Sequence, residues 1–298
     1  MIKDFDYLKK MATNKGVKTI AIAVPEDENT INALLDLTKS IEVKYILVGD
    51  EKKITKLCNK IGLQAPQDVI IHTTDHDIAA QKAVELIKNN TADILMKGSL
   101  ATGTLLKAVL NKETGIGTGS LMSHLAVIEC PTYHKLMYIT DGGINPAPDL
   151  DKKRAILSNS VDFMLKLGYT EPKVAALCAA ENVSEKIIET VDANQLQQEN
   201  INGIIKNCIV EGPIAFDLAI SEDSAKAKNY NSKIAGHTDL FLAPNISTGN
   251  VLAKSLLYLA NSKMAGCVLG AKAPIVLTSR GATAEEKLLS FLLTLAAA

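Results

Sequence analysis

Along the first hundred residues, short apolar runs alternate with segments whose apolar residues recur every three or four positions. Thr19–Val24 is almost wholly apolar, which is typical of a strand buried on both faces, whereas Asp27–Ser40 has helical spacing. The other strands predicted here are Tyr45–Val48, Val69–His72 and Asp93–Met96, and the other helices are residues 1–15, Lys52–Ile61, Asp77–Asn89 and Thr102–Leu110. This alternation predicts a parallel sheet covered by helices on both faces.

The pattern changes near residue 125 and then resumes. Leu125–Glu129 and Met137–Thr140 are both strand-like and are joined by a short turn, which predicts an antiparallel pair. The strands predicted after them are Val174–Ala179, Ile209–Ile214, Asp239–Ala243 and Ala273–Leu277, and the helices are Asp151–Lys166, Glu185–Gln195, Ser221–Ala227, Val251–Lys263 and Thr283–Leu295. Between the two halves, Thr140–Asp149 is rich in Gly, Pro, Asn and Asp, as structured loops are, and Asp149 is a candidate N-cap.

This loop is the best candidate for a boundary between two αβα lobes. We predict a first lobe formed by residues 1–140 plus 275–298 and a second lobe formed by residues 141–274. The first lobe is discontinuous because the final helix, Thr283–Leu295, is expected to pack back on it.

Composition excludes several classes of function. The chain has 298 residues, is 47% hydrophobic and 22% charged, and carries a net charge of −1, so no global field favours nucleic acid or an anionic membrane. Only 4% of residues are aromatic and Trp is absent, which argues against stacking on bases. No apolar run reaches the roughly 18–20 residues of a membrane span. The first residues carry acids and lack the apolar stretch of a secretion signal, so a cytoplasmic protein is expected.

Cysteines and histidines do not have metal-binding spacing. The five cysteines form no CxxC pair, which predicts free thiols in a reducing compartment. His72 and His76 are four residues apart, but a helix start is predicted between them, so no metal site is expected. The Thr114–Ser120 stretch contains GxG without the preceding strand that a dinucleotide-binding loop requires. Gly98-Ser99 after a predicted strand is either a tight turn or a pair of N–H donors for an anion.

The clearest chemical signal is Ser279-Arg280-Gly281, at the end of the predicted strand Ala273–Leu277. Ligands bind outside the carboxyl ends of the strands of open α/β sheets. Of the 32 lysines and arginines, only Arg154 and Arg280 are arginines. Arginine is preferred where a planar, permanently charged fork must hold phosphate or carboxylate, so Arg280 is a candidate anion-binding residue.

Several loops in order along the chain resemble those of the phosphate acyltransferases, namely phosphate acetyltransferase and, more closely, phosphate butyryltransferase. The matching stretches are Ser123–Glu129, Thr140–Pro148, Val210–Asp217, Pro244–Asn250 with Lys254, and Ser279–Gly281. The resemblance implies two three-layer αβα lobes with a cleft between them, as in the isocitrate/isopropylmalate dehydrogenase type of fold. It also implies the reaction of acyl-CoA with phosphate to give acyl phosphate and CoA, in a ternary complex. CoA is then a substrate, with no separate cofactor and no metal, and a homo-oligomer is expected.

By the same resemblance, Ser279 and Arg280 fall on the Ser-Arg pair of the family. Glu286 lies seven residues after the serine, where phosphate acetyltransferases carry a catalytic aspartate. A further arginine of that family has no counterpart here, and Lys254 is a candidate substitute. The expected catalytic residues are therefore Ser279, Arg280 and Glu286. The expected substrate-binding residues are Ser123, Gly142, Gly143, Asn145, Thr248, Asn250 and Lys254.

The sequence leaves other roles open for these residues. Thr283-Ala-Glu-Glu286 is also a capping box, in which Glu286 would bond the Thr283 N–H and its pKa would fall. A base that deprotonates a thiol needs instead a raised pKa, because about four units separate an ordinary glutamate from a thiol. The glycines and Asn145 can serve loop geometry alone, and one polar residue before the helix Val251–Lys263 can serve as its cap.

The leading hypothesis is a phosphate acyltransferase for butyryl-type chains. The alternatives are a phosphate acetyltransferase, a nicotinamide-dependent dehydrogenase on a similar fold, and a non-catalytic acyl-CoA-binding protein. The misplaced GxG and the lack of a metal-binding Asp cluster disfavour the dehydrogenase. The chain-length preference, the number of subunits and the physiological direction are left open.

Overall fold

The apolar runs of the sequence form buried strands, and the segments with helical spacing form the helices beside them. The computed structural model describes residues 2–65 and 67–298. The elements of the first part are α1 (Phe5–Thr13), β1 (Lys18–Ala23), α2 (Glu28–Ser40), β2 (Val43–Gly49), α3 (Glu51–Ile61), a 3-10 turn (Gln67–Val69), β3 (Ile70–His72), α4 (His76–Lys88), β4 (Ile94–Lys97) and α5 (Thr102–Val109). The elements that follow are β5 (Ser123–Glu129), β6 (Met137–Thr140), α6 (Leu150–Lys166), β7 (Lys173–Leu177), α7 (Ile188–Ile201), β8 (Ile209–Ile214), α8 (Phe216–Ile220), α9 (Glu222–Ala227), β9 (Leu240–Leu242), α10 (Ile246–Leu259), β10 (Lys263–Leu269), β11 (Ile275–Val276) and α11 (Ala284–Ala297).

The chain divides into two compact units. The first unit contains residues 5–120 and 265–298, and the second unit contains residues 2–4 and 121–264. Each unit has its own run of neighbouring strands, in the order β3-β2-β1-β4-β11-β10 for the first unit and β5-β6-β9-β7-β8 for the second.

In the first unit, β3, β2, β1, β4 and β11 run parallel, and β10 runs antiparallel to β11. Ile20 to Ala23 are fully buried, as expected for a strand covered on both faces. Ala23 pairs with Lys97, and Val276 pairs with Met96. The carboxyl ends of β1, β4 and β11 therefore meet at one edge of the sheet, which positions the loops described below.

The helices of the first unit begin at residues that bond their free N–H groups. The side chain of Asp27 caps α2 and accepts a hydrogen bond from the Thr30 N–H at 2.8 Å. Asp50 and Asp75 cap α3 and α4 in the same way. The last helix, α11, packs against α1 and α2, which confirms that the end of the chain returns to the part where the chain began.

In the second unit, β5 and β6 form the predicted antiparallel pair, and β6, β9, β7 and β8 are parallel. Asp149 caps α6 as predicted, because its side chain accepts a hydrogen bond from the Lys152 N–H at 2.9 Å. A buried apolar cluster that includes Ile139, Phe241 and Ile214 lies beside this sheet.

The borders of the units differ from those of the predicted lobes. Residues 121–140, which were assigned to the first lobe, lie in the second unit because β6 pairs with β9. Residues 265–274, which were assigned to the second lobe, lie in the first unit because β10 pairs with β11. The sequence indicated the loop Thr140–Asp149 as the border, but that loop lies within the second unit and leads from β6 to α6.

Two element boundaries were also wrong. α10 begins at Ile246 rather than Val251, so Thr248 and Asn250 lie within its first turns instead of before them. Its last residue is Leu259, and Lys263, which was predicted to end this helix, begins the seven-residue strand β10. The α/β class, with a large sheet flanked by helices, is confirmed. No helix in the described part of the chain is long and apolar enough to cross a membrane.

Candidate active site

The loops after β1, β4 and β11 bring charged residues together at the sheet edge of the first unit. Asp27 follows β1, Lys97 ends β4, and Ser279 and Arg280 follow β11. Because these three strands are adjacent and parallel, their following loops lie side by side. We call this region the cationic edge, defined by Asp27, Lys97, Ser279, Arg280, Glu286 and Lys287.

Asp27 is the carboxylate at the centre of the hydrogen bonds of the cationic edge. It accepts hydrogen bonds from the Lys287 ammonium at 2.7 Å, from the Thr30 hydroxyl at 2.6 Å and from the Ser99 hydroxyl at 3.0 Å. Burial alone would raise the pKa of Asp27, but the hydrogen bonds from Lys287 and Thr30 hold that pKa below its ordinary value. Asp27 is therefore ionised at neutral pH, and Lys287 is its counter-ion.

Lys97 is a buried lysine that sequence reasoning missed. It is 2% exposed, and its Nζ donates to the carbonyl oxygens of Gly98 at 3.2 Å and Leu100 at 3.3 Å. Among the described residues no carboxylate lies within ion-pair distance of it. Burial lowers the pKa of Lys97, and the positive charges of Lys287 and Arg280 lower it further. A lysine that ends the wholly apolar stretch Ile94–Met96 was the available signal, because such a strand carries its last side chain into the interior.

The Gly98-Ser99 turn does not offer its N–H groups to an anion. The Gly98 N–H donates to the Ala23 oxygen at 2.8 Å, and the Ser99 N–H donates to the Val24 oxygen at 2.7 Å. A Cβ at position 98 would lie 2.1 Å from the Val24 oxygen, so the glycine permits the close approach of two strand ends. Of the two alternatives for this turn, the structure shows the tight turn.

Ser279 and Arg280 are both exposed, but only the Ser279 side chain forms a hydrogen bond with another described residue. The Ser279 hydroxyl accepts only a long hydrogen bond, 3.4 Å, from the Gly281 N–H. The Arg280 guanidinium forms neither a hydrogen bond nor an ion pair with any described residue. Its five N–H donors are free for a ligand, which fits the prediction that Arg280 holds an anion.

Glu286 both caps α11 and has a raised pKa, the two properties that the sequence indicated as alternatives. The capping box is present: the Thr283 N–H donates to Glu286 Oε2 at 3.3 Å, and the Glu286 N–H donates to the Thr283 hydroxyl at 3.1 Å. Burial nevertheless raises the pKa of Glu286, against the lowering effect of the Thr283 bond. Capping thus lowers this pKa as expected, but burial has the larger effect and the net shift is upward. Oε1 accepts no hydrogen bond from the described residues, so one oxygen caps the helix while the other stays available.

The predicted substrate-binding residues lie in the second unit, where Asp141 organises the loop after β6. Its carboxylate accepts hydrogen bonds from the backbone N–H groups of Gly143 at 2.7 Å, Ile144 at 2.9 Å and His124 at 3.1 Å. The Asn145 side chain donates to it at 2.6 Å and also donates to the Met122 oxygen at 2.9 Å. Asp141 is 2% exposed, so this carboxylate holds the shape of the loop from inside.

The glycines of this loop serve a close approach to α10. A Cβ on Gly142 would lie 2.9 Å from the Gly249 carbonyl carbon, and a Cβ on Gly249 would lie 2.7 Å from the backbone carbonyl oxygen of Asp141. The Asn250 side chain donates to the Gly142 oxygen at 3.0 Å. A Cβ on Gly143 would lie 2.9 Å from the His124 ring. These residues fix the loop against the start of α10 and against β5.

The remaining predicted binding residues divide into two bonded ones and one free one. The buried Ser123 hydroxyl accepts a hydrogen bond from Asn159 at 3.0 Å. Both the N–H and the hydroxyl of Thr248 donate to Asn245, which caps α10. Lys254 is exposed on α10 and has no bonded partner within the described chain.

An apolar cavity of about 720 Å³ lies beside the start of α10 in the second unit. Its walls include Leu177, Phe216 and Leu252, with Asn245 and Ser247 among its few polar groups. Burial raises the pKa of the Cys178 thiol in this cavity to about 12, and the thiol donates to the Glu189 oxygen at 3.2 Å. The cavity therefore offers apolar contacts but no reactive thiolate.

Two other motifs have structural roles. Thr118 of the GxG stretch donates to the Gly270 oxygen at 2.9 Å, and Gly117 forms an isolated bridge with Ala271. His72 Nδ1 accepts the Glu51 N–H at 3.1 Å. Within residues 2–65 and 67–298, no group of three or more His, Cys, Asp and Glu side chains is arranged to hold a metal ion.

Comparison with known sequences places these features in a family. The family model described as "Phosphate acetyl/butaryl transferase" matches residues 67–295. The phosphate butyryltransferase of Clostridium acetobutylicum is 41% identical over 293 residues, which is 98% of this chain and 97% of that protein. The phosphate acetyltransferase of Rhizobium meliloti is 37% identical over 286 residues, covering 96% of this chain and 90% of that protein.

Solved structures agree with the sequence comparisons. A branched-chain phosphotransacylase from Enterococcus faecalis superposes with a TM-score of 0.83 at 31% identity, covering 94% of this chain and 98% of that chain. A 4-hydroxythreonine-4-phosphate dehydrogenase from Klebsiella pneumoniae superposes with a TM-score of 0.55 at 11% identity, covering 94% of this chain and 100% of that chain. The second likeness shows the fold alone, and it confirms that the fold is shared with a dehydrogenase.

Proposed function

The chain belongs to the phosphate acetyl/butaryl transferase family and is an acyltransferase, and from that premise we propose that it converts butyryl-CoA and phosphate to butyryl phosphate and CoA. The observation that supports this most directly is the exposed Arg280 guanidinium, which has no hydrogen-bond or ion-pair partner among the described residues and lies in the loop between β11 and α11. A glutamate of raised pKa, Glu286, lies in the first turn of α11. A permanently charged, planar set of N–H donors is suited to binding phosphate, and a carboxylate of raised pKa is suited to proton transfer to or from a thiol.

The reaction requires one bond exchange and one proton transfer. A phosphate oxygen attacks the thioester carbonyl carbon, the carbon–sulfur bond breaks, and CoA leaves as a thiolate that then takes a proton. In the opposite direction Glu286 accepts the thiol proton on its free oxygen, Oε1. Arg280 stabilises the charge on the phosphoryl group and on the tetrahedral intermediate, and Ser279 donates its hydroxyl to the carbonyl oxygen or sulfur.

The raised pKa of Glu286 matters because a glutamate carboxylate is ordinarily a much weaker base than a thiolate. An ordinary glutamate and a thiol differ by about four pKa units, which corresponds to roughly 5–6 kcal/mol of uphill proton transfer. Burial of Glu286 narrows that gap, and the nearby positive charges lower the pKa of the thiol.

We propose that the second unit binds the rest of the substrates. Lys254 and Thr248 are exposed on α10 and contact CoA, whereas Ser123, Gly142, Gly143, Asn145 and Asn250 give the adjoining loop and strand their shape. The proposal includes a homo-oligomer in the cytoplasm that uses CoA as a substrate and needs no separate cofactor or metal.

The test is a thiol-release assay on the purified protein. Phosphate would be mixed with acetyl-, butyryl- and longer acyl-CoA, and free CoA would be followed with a thiol reagent against a protein-only blank. We expect release that depends on phosphate and is fastest with butyryl-CoA. A maximum with acetyl-CoA would instead identify a phosphate acetyltransferase, and no release with any acyl-CoA would overturn the proposal.

Two variants separate catalysis from helix capping. Glu286→Gln keeps an oxygen for the Thr283 N–H but removes the base, so we expect turnover to fall about 100- to 10,000-fold with little change in melting temperature. Thr283→Ala removes the cap but keeps the carboxylate, so we expect about 1 kcal/mol of lost stability with turnover largely kept. Equal turnover in Glu286→Gln and wild type would show that Glu286 is a helix cap alone.

A further inference from the structure

The charge of Lys97 has no explanation in the hydrogen bonds of the folded protein. It ends β4, a strand in which all four residues are buried. Its Nζ bonds only to the carbonyl oxygens of Gly98 and Leu100, at 3.2 and 3.3 Å. An ammonium group carries three N–H donors, so this arrangement leaves one donor without a partner among the described residues. A buried ammonium without a counter-ion is unfavourable, and methionine would fill a similar volume without that penalty.

The carboxylate next to Lys97 is already neutralised. Asp27 accepts from Lys287 at 2.7 Å and from the Thr30 and Ser99 hydroxyl groups at 2.6 and 3.0 Å. Lys287 is itself only 4% exposed and also donates to Thr30 at 2.7 Å. Asp27 and Lys287 therefore pair with each other, and Lys97 and Arg280 remain as two positive charges with no ion-pair partner among the described residues.

The sheet places these two charges on neighbouring strands. β4 and β11 are parallel, with Met96 opposite Val276, so Lys97 and the residues after β11 leave the sheet at the same edge. Arg280 is near enough to Lys97 for its charge to lower the pKa of that lysine. An anion at this edge would relieve the repulsion between them and supply the counter-ion that both lack.

We propose that Lys97 binds the phosphoryl group of the substrate together with Arg280, so that the cationic edge is a two-cation site for inorganic phosphate and for the phosphate end of the acyl phosphate. The proposal rests on the proposed function for its substrate. It assigns to Lys97 the role of second cation for which the sequence indicated Lys254, a residue exposed on α10 of the second unit. Arg280 holds the phosphoryl group from the exposed side of the site and Lys97 from the buried side.

The experiment compares Lys97→Met and Lys97→Arg with the wild-type protein. Loss of one charge-assisted hydrogen bond of about 1.5–3 kcal/mol predicts a rise of about 10- to 100-fold in the phosphate KM and in the phosphate Kd. The KM for acyl-CoA should stay within about twofold, because Lys97 does not contact the acyl-CoA in this proposal. Lys97→Arg keeps a cation and should lose less phosphate affinity than Lys97→Met.

A control variant is Lys39→Met, which removes an exposed lysine near the C-terminal end of α2. Among the described residues its one ion-pair partner is Asp36, at 3.5 Å. Lys39→Met should leave both KM values unchanged. Lys97→Met should melt no lower than the wild type, since the change removes a buried charge. A phosphate KM and Kd in Lys97→Met equal to those of the wild type would overturn the proposal. If the phosphate KM and Kd rise in Lys254→Met but not in Lys97→Met, the proposal is overturned and Lys254 is the second cation.

Calorimetric titration with inorganic phosphate separates this proposal from the proposed function. If the wild type binds phosphate, Lys97→Met does not, and no acyl-CoA is consumed, the anion site stands and the acyltransfer to phosphate fails. If acyl-CoA is consumed and phosphate binding does not depend on Lys97, the proposed function stands and the role of Lys97 fails.

Discussion

The cationic edge of the first unit and the glycine-rich loop of the second unit were both indicated by the sequence, but their polar groups are used in opposite ways. In the loop, Asp141 accepts from three backbone N–H groups and from Asn145, and Asn250 donates to Gly142. At the cationic edge, Arg280 has no partner within the described chain and Lys97 bonds only to carbonyl oxygens. The polar groups of the loop hold the loop in its own shape, whereas two positive charges of the edge, Arg280 and Lys97, have no carboxylate partner among the described residues.

The difference shows what each kind of sequence signal means. A run of Gly, Pro, Asn and Asp indicates a backbone that must turn sharply and approach another segment closely, and such a run is satisfied internally. Of the two arginines, Arg154 is paired with Glu199 and Asp151, whereas Arg280 has no hydrogen-bond or ion-pair partner among the described residues. The rarity of arginine therefore indicates candidate anion-binding residues, and the structure shows which of the two has its charge free. The variants below should therefore affect turnover at the edge and stability in the loop.

The largest expected effect comes from Arg280→Ala. Removing one group that stabilises charge in the transition state typically lowers turnover about 100- to 1,000-fold, or roughly 2.7–4 kcal/mol. The melting temperature should change little, because the Arg280 guanidinium forms no hydrogen bond or ion pair with any described residue. Steady-state kinetics beside a thermal melt would measure both quantities. Arg280→Lys keeps the positive charge but loses the planar guanidinium, so its turnover should lie between those of the wild type and Arg280→Ala. Normal turnover in Arg280→Ala would remove Arg280 from the mechanism and undo the contrast.

Asp141→Ala should show the opposite behaviour, with a large loss of stability. The change leaves three backbone N–H groups and the Asn145 amide without their acceptor, for which about 3 kcal/mol is a reasonable expectation. Chemical denaturation of the purified variant measures it. Asp149→Ala is a matched control, since Asp149 caps α6 through one N–H and should lose only about 1 kcal/mol. Equal losses in the two variants would mean that the additional hydrogen bonds of Asp141 do not stabilise the fold.

Gly249→Ala tests the close approach between the loop and α10. The new Cβ would lie 2.7 Å from the backbone carbonyl oxygen of Asp141 and 3.0 Å from Gly142 Cα. The backbone of the loop or of α10 must therefore move, at a cost of about 1–3 kcal/mol. Gly103→Ala in α5 is the matched control, because nothing lies within 4 Å of its added Cβ. Helix propensity alone should make that control more stable by about 0.5–1 kcal/mol. Opposite signs are expected in urea denaturation, and a neutral Gly249→Ala would show that the approach is looser than the distances indicate.

Much of the fold was predictable because its signals are local. Wholly apolar runs gave β1 and β4, the antiparallel β5–β6 pair was visible in two strand-like segments, and Asp149 was recognised as a cap. Arg280 was found because its residue type is rare here. Each of these predictions needs only the residue and its neighbours in the chain.

The features that were missed depend on contacts between distant segments. The start of α10 was not predicted because Ser, Thr, Gly and Asn are poor helix formers. The Asn245 cap and the close approach to Gly142, which involve contacts outside the helical pattern, stabilise that turn. The borders of the units depend on which strands pair, which periodicity does not reveal. The burial of Lys97 follows from the position of β4 in the middle of a sheet, and a lysine in a sequence is ordinarily taken as exposed.

The smallest expected effect has the most informative sign. Because burial lowers the pKa of Lys97 in the folded state, the unfolded chain binds its proton more tightly, and the charged lysine lowers the stability of the fold at neutral pH. Lys97→Met should therefore be more stable than the wild type by about 1 kcal/mol at pH 7. The gain should shrink as the pH rises through the lowered pKa toward the value of about 10.4 for an unfolded lysine, where the wild-type side chain loses its charge in both states. Urea denaturation of both proteins between pH 7 and pH 10 measures it. Removal of Lys97 is thus expected to stabilise the protein, whereas removal of Asp141 is expected to destabilise it. A Lys97→Met variant that is less stable at every pH would assign Lys97 to the structural class of the loop.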